Sequence, residues 1–334
     1  MQGKPLISVL LPIFNAERFL AEAIQSVLNQ TYPNFELIIL NDGSTDGSDE
    51  IVKSFDDKRI KYFTHENIGL AATLNKGLSL ACGEYIARQD NDDVSLPERF
   101  EHQMDYLLSH IDVDLLGTAA EIIDERGQST QRSHHHPTDN ISLKWALLFN
   151  NPFVHSSVIF KKSKAMACGG YNTNTSYFED YHLWSAMAQQ GKIANLPNIL
   201  LKYREVNSGM SKSTNDYLQR VKNQSEINIL HYLKDVSEIN VKSFVAMQNG
   251  DLSVLNQKPA KSMYQKVFQE LIHAFCSVEK ISPDVIQESI KTQNISFKRQ
   301  YYNAQLQQVG LSFFTKLKVK ILRKLLFTLN KKYL

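Results

Sequence analysis

A doubly wound α/β sheet with a mostly helical C-terminal appendage is the fold class this sequence predicts, and three observations carry it. From Leu6 to Ala87, short apolar runs alternate with amphipathic stretches, the pattern of repeated β-α-β units. Polar and distinctive residues directly follow three of those runs, as expected where ligands gather outside the carboxyl ends of parallel strands. At 334 residues and 43% hydrophobic content, the chain exceeds one average domain and can bury a sizeable core.

Leu6 to Leu11 reads LISVLL, a near-continuous apolar run suited to a strand buried on both faces. Ala16 to Leu28 sets Phe19, Leu20, Ala23, Ile24, Val27 and Leu28 at helical spacing, and Glu36 to Leu40 is a second buried strand. The alternation continues with a helix over Thr45 to Phe55, for which Ser44 is the N-cap candidate. A strand from Ile60 to Phe63, a helix from Gly69 to Ala81 and a strand from Tyr85 to Ala87 follow. Ser95 and Pro97 open a helix that runs to about Leu108. Asp114 to Thr118 and Glu121 to Ile123 read as two strands, and Ser129 to Asn140 as polar loop. Val154 to Phe160 reads as a strand, Phe178 to Gln190 as an amphipathic helix and Ile199 to Arg204 as a strand. From about Asn215 the remainder is mostly helical, with a boundary at Lys212 to Thr214. The expected domains are therefore 1–212, 213–310 and a C-terminal helix, 311–334.

Charge is distributed unevenly. Ten of the 37 basic residues and none of the 35 acidic ones lie beyond Glu288, which leaves 27 basic against 35 acidic residues before it. Cys82, Cys168 and Cys276 are widely spaced and odd in number, which argues against a disulfide framework or structural zinc and for a reducing compartment. Neither a secretory signal nor a stretch of roughly 20 apolar residues is found, so a cytoplasmic location is expected.

Asp90-Asn91-Asp92-Asp93 places three carboxylates in four residues. Such mutual repulsion is relieved where a divalent cation such as Mg2+ or Mn2+ bridges diphosphate oxygens; a charged turn is the alternative. In Asn41-Asp42-Gly43-Ser44-Thr45-Asp46, the Asp42 carboxylate can accept from a nucleotide base or ribose, or simply belong to a well-capped turn. Glu179-Asp180, at the start of a predicted helix, offers a general base or two carboxylates favoured by the helix dipole. An N-terminal position is expected to keep Asp180 ionised. His155 divides evenly between an active-site and a structural role, whereas His134-His135-His136 reads as exposed loop.

These motifs resemble those of family 2 glycosyltransferases. The similarity runs through Ser8 to Asn15, Gln30 to Glu36, Asn41 to Asp46, Asn67-Ile68-Gly69, Gly83 to Ala87, Asp90 to Asp93, Gly169-Gly170-Tyr171 and Phe178 to Tyr181, covering about residues 5 to 210. The resemblance implies a GT-A fold and an inverting, metal-dependent transfer from a nucleotide-sugar, a UDP-sugar by expectation, to a saccharide or lipid-linked saccharide hydroxyl. It implies a base or ribose contact at Asp42, a donor pocket lined by Pro12, Phe14 and Asn15, and flanking residues Asn67, Gly69 and Asn75. Asp90 approaches the ribose and, with Asp92, forms the metal pair; Asp180 is the base and Glu179 orients the acceptor. Tyr203-Arg204 resembles an element in which the arginine approaches donor phosphates, although the histidine often found two residues later is Val206 here.

On a helix, Phe314 to Lys331 gathers Phe314, Leu317, Ile321, Leu322, Leu325, Leu326 and Leu329 opposite Lys316, Lys320, Arg323, Lys324 and Lys331. That pattern suits an anionic membrane surface on its inner face, or a helix packed on the protein. No nucleic-acid module accompanies it. The competing functional class is a noncatalytic nucleotide-sugar or glycan-binding protein on the same fold. A nicotinamide dehydrogenase and a sugar nucleotidyltransferase are disfavoured because no glycine-rich phosphate loop follows the first strand.

Overall fold

The computed structural model describes residues 4–174, 178–206, 214–255 and 260–307. The expected helix at 311–334 lies outside the described residues. The chain divides into two compact units, one of Met1–Lys144 with Asn151–Ser213, the other of Trp145–Asn150 with Thr214–Leu334.

The first unit is built on a mixed sheet. Its elements are β1 (Ile7–Ile13), α1 (Leu20–Leu28), β2 (Phe35–Asp42), α2 (Ser48–Lys53), β3 (Ile60–His65), α3 (Leu70–Leu80), β4 (Tyr85–Arg88), β5 (Val94–Ser95) and α4 (Arg99–Ser109). There follow β6 (Val113–Ile123), β7 (Ser129–His134), α5 (Asn140–Ala146), β8 (Ile159–Lys161), α6 (Lys162–Ala167), α7 (Glu179–Gln190) and β9 (Lys192–Arg204). Among the described residues the strand order is β3-β2-β1-β4-β8-β6-β9-β5, with β7 paired to β6. Strands β1 to β4 are mutually parallel where they pair, so their carboxyl ends share one edge. Strand β8 runs antiparallel to β4 and β6, which makes the sheet mixed.

Apolar runs become strands here because both faces are covered. Ile7, Val9, Leu11 and Ile13 of β1 join Leu20, Ala23, Ile24 and Val27 of α1 and Phe100, Met104 and Leu107 of α4 in one core. On the other face, Leu10 and Leu40 meet α3 so closely at Gly77 that a side chain there would collide with both. Burying each such leucine or isoleucine stabilises the fold by roughly 1.5–3 kcal/mol.

Several expected boundaries shift for local reasons. The two strands expected at 114–118 and 121–123 form one strand, β6, since Ala119-Ala120 offers no turn chemistry and register shifts against β9 absorb the irregularity. The polar segment from Ser129 holds β7, an exposed edge strand whose polarity hides it from an apolar pattern. Val154 to Phe160 is not continuous strand: His155–Ser157 is a 3-10 turn whose serines are buried and hydrogen-bonded. The helix expected from Thr45 starts at Ser48, because the Ser44 hydroxyl accepts from Asn15 N–H while Asp46 accepts from Ser48 N–H at 3.1 Å. Likewise α1 starts at Leu20, after a turn in which Ala16 O accepts from Phe19 and Leu20.

The second unit contains α8 (Thr214–Tyr232), α9 (Glu238–Gln248), α10 (Leu252–Leu255), α11 (Ala260–Glu279) and α12 (Gln287–Gln307). Its core is aromatic: Trp145 packs edge-on to Phe275, and Phe244, Tyr264 and Phe268 stack. Among the described residues no helix is long and apolar enough to cross a membrane.

Candidate active site

Beyond the carboxyl end of β4 lies an acidic corner held by buried arginines. Arg88, the last residue of β4, is 0% exposed, and its guanidinium donates to Asp90 Oδ1 at 2.5 Å. Ser156 Oγ donates to Asp90 Oδ2 at 2.8 Å and accepts from Asp90 N–H at 2.7 Å. Burial alone would raise the Asp90 pKa, but Arg88 and these bonds hold the carboxyl below its usual range. Asp92 goes the other way: burial and then the negative charge of Asp90 push it up to about 6. Asp93 is raised well above the ordinary range by burial and by both neighbouring carboxylates, against the opposing effect of Ser156 and the Arg204 N–H.

The backbone of this corner is framed from behind. The Gln89 amide donates to Asp90 O and Asp93 O, while its Oε1 accepts from Ser95 Oγ and Arg99. Arg99, fully buried, also donates to Arg88 O and Val158 O. Arg204 closes the other side: its Nε donates to Asp92 O at 2.8 Å and its N–H to Asp93 Oδ1 at 2.8 Å. Its guanidinium also reaches Asp124 O and Glu22 and lies over the Phe19 ring. The side chain of Arg204, expected to approach donor phosphates, is 1% exposed and lies on the acidic corner. Arg88, Gln89, Arg99 and Ser156 went unread in the sequence. An arginine ending a buried strand was the available signal, because a buried guanidinium requires partners.

At the carboxyl ends of β1 and β2 the remaining expected residues converge. Asp42 Oδ1 accepts from Ile68 N–H at 2.7 Å and Oδ2 from Gly69 N–H at 3.0 Å, so this carboxylate pins the segment that carries Asn67 and Gly69. Gly43 permits that approach: its φ is +76°, and a Cβ there would lie 2.8 Å from Asn67 N. Asn15, in the left-handed region at φ 49°, donates its N–H to Ser44 Oγ and accepts from Thr45 N–H. Pro12 is buried and its carbonyl faces Asn91 Nδ2 at 3.4 Å, whereas Phe14 is 50% exposed.

Across from the acidic corner, α7 begins with Glu179 and Asp180. Glu179 is 4% exposed; Asp180 is half-buried. Burial, then Glu179 and more weakly Asp90, push Asp180 up to about 7. The helix start favours an ionised Asp180, while desolvation and the like-charged Glu179 act against it. The Asn151 amide donates to Asp180 Oδ2 at 2.7 Å. The ring of His155 lies between Tyr171 and Trp184, and burial holds it far below the usual histidine range at about 3, hence neutral. Asn75, expected in the segment that flanks the nucleotide, brackets the backbone of Tyr171, accepting from its N–H at 2.8 Å and donating to its carbonyl at 2.7 Å. Gly170 makes this possible, since a Cβ there would lie 2.5 Å from Asn75 Oδ1 and its φ is +72°.

Among the described residues no group of three His, Cys, Asp or Glu side chains is arranged to hold a metal ion. The donor set nevertheless fits a divalent ion completed by diphosphate oxygens, which needs only one or two protein carboxylates. Asp92 is the candidate: burial and the neighbouring Asp90 charge destabilise its carboxyl as an anion, which a cation would relieve.

Comparison with known proteins places the chain in a family. The model of a family described as Glycosyl transferase family 2 matches residues 8–170. An uncharacterized glycosyltransferase of Haemophilus influenzae is 32% identical over 296 residues, covering 81% of this chain and 88% of its own length. The O-antigen biosynthesis glycosyltransferase WbnJ of Escherichia coli is 34% identical over 226 residues, covering 64% of this chain and 85% of its own. The crystal structure of S. aureus TarS 1-349 in complex with UDP-GlcNAc shares the fold, with a TM-score of 0.60 at 17% identity over 92% of this chain and 93% of that one. The chain belongs to glycosyl transferase family 2 and is a glycosyltransferase.

Proposed function

We propose that this glycosyltransferase inverts the anomeric centre as it moves a sugar from a UDP-sugar to a hydroxyl of a saccharide or lipid-linked saccharide. The observation that carries this reading is the opposition of two carboxylate groups of different character. Asp180, pushed up to about 7, is poised to take a proton near neutral pH, while the corner of Asp90, Asp92 and Asp93 concentrates negative charge beside strand ends suited to a nucleotide. Transfer by inversion needs a base to remove the hydroxyl proton as that oxygen attacks from the face opposite the departing diphosphate. Asp180 fills that role, with Glu179 beside it to orient the acceptor. Asp42 and the segment it pins, together with Pro12, Phe14 and Asn15, form the donor side, and Asp90 approaches the ribose.

Asp92 would hold a divalent ion, Mn2+ or Mg2+, which when bound neutralises charge on the leaving diphosphate. A UDP donor is supported by the shared fold with a protein crystallised with UDP-GlcNAc. Assembly of a bacterial surface polysaccharide is supported by the relative named for O-antigen biosynthesis. The enzyme would work in the cytoplasm, peripheral to the inner face of the membrane through residues 311–334, whose sequence alternates basic and apolar faces.

A screen of nucleotide-sugars for release of the nucleoside diphosphate tests the reading. One UDP-sugar should give release that needs manganese or magnesium and is lost in Asp92→Ala. Equal release in chelator, or an unimpaired Asp92→Ala, would contradict the metal assignment. Truncation after Gly310 should weaken binding to vesicles containing anionic lipid; unchanged binding would remove the membrane role alone.

A further inference from the structure

Asn151 opens the segment that returns the chain to the first unit, and its side chain is fixed at both ends. Phe153 N–H donates to Asn151 Oδ1 at 3.2 Å, which identifies that atom as the acceptor and turns the amide NH2 toward α7. There Nδ2 donates to Asp180 Oδ2 at 2.7 Å. The other oxygen, Oδ1, accepts from the Tyr181 N–H at 2.6 Å. Among the described residues each carboxylate oxygen thus has one donor, which leaves a lone pair for an incoming hydroxyl.

Among the described residues, the charged and titratable groups that face Asp180 offer it no such help. They are Glu179 beside it on α7, Asp90 at the acidic corner and the buried Tyr171 phenol, whose own pKa is raised by burial. Two of the three are anionic and favour a protonated Asp180. Hydrogen bonds to the ionised form oppose them, and the amide of Asn151 is the side chain that supplies one.

We infer that Asn151 is a positioning residue for the base, aiming one oxygen of Asp180 and holding the carboxylate in its proton-accepting form. This deepens the reading of Asp180 as the base, and the two can fail separately. The test is a titration of the protein labelled with carboxyl-13C aspartate, without nucleotide. The Asp180 resonance is identified by its loss in Asp180→Asn. In Asn151→Ala its midpoint should rise by about one pH unit, equivalent to a tenfold change in proton affinity. In Asn151→Asp, an isosteric change that keeps the bond from Phe153 N–H, the midpoint should rise further. A midpoint unmoved in either variant, with thermal unfolding showing the fold retained, would overturn the role of Asn151. Sugar transfer by Asp180→Asn judges the base separately: if it persists, the base reading fails whatever the titration shows.

Discussion

Asp90 and Asp180 are carboxylates in one site with opposite histories. Asp90 has a buried arginine and a serine hydroxyl directed at it, and is held below the usual carboxylate range. Among the described residues Asp180 has amide donors and a glutamate neighbour, and is pushed up to about 7. The difference lies in whether a guanidinium is supplied. Asp90 has a buried arginine against it and a lowered pKa, whereas Asp180 has no such cation among the described residues and a raised one, as the proposed donor-side and base roles would require. Asp92 stands between the two: it has no arginine of its own, and its backbone rather than its carboxylate is the part that Arg204 holds.

The sharpest way to break this contrast is Asp180→Asn. Transfer should fall by about 10^2 to 10^4 while nucleotide binding stays within a few-fold, since a base contributes that much to rate and little to donor affinity. Retained turnover would return Asp180 to the ranks of helix-start carboxylates. Next in size is Arg88→Met, which leaves Asp90 without its cation. Breaking a buried charge pair costs about 3–5 kcal/mol, and the lower end applies because the Asp90 side chain is 31% exposed. Denaturant unfolding measures it; a loss below about 1 kcal/mol would mean that water already compensates the corner. Smallest is Gly170→Ala, which should lower stability by about 1–3 kcal/mol through strain at positive φ and collision with Asn75. A neutral result in thermal unfolding would show that the Asn75 bracket does not fix the approach to α7.

Much of this site was legible before any coordinates. Apolar runs such as Leu6 to Leu11 announce strands because both of their faces are buried, and the residues just beyond Pro12, Asp42 and Asp90 share an edge because the strands are parallel. The supports were not legible. Ser156 and Asn151 come from segments 66 and 29 residues away from the carboxylates they bind, and no local pattern encodes such a meeting. Strand β7 was missed because a polar edge strand lacks the apolar alternation that signals one. The environment of Asp180 was only partly legible for a related reason. A helix start is visible in sequence, but the burial that dominates its pKa is a tertiary property.

The central claim, that a carboxylate at the start of α7 takes the acceptor proton, is tested most directly by the pH dependence of kcat/KM, which reports the groups of the free enzyme. Asp180 must be ionised to accept a proton, so kcat/KM should climb with pH through about 7 and level off above it, falling about tenfold for each pH unit below. A kcat/KM that stays flat from pH 8 down to about pH 5 would contradict the account.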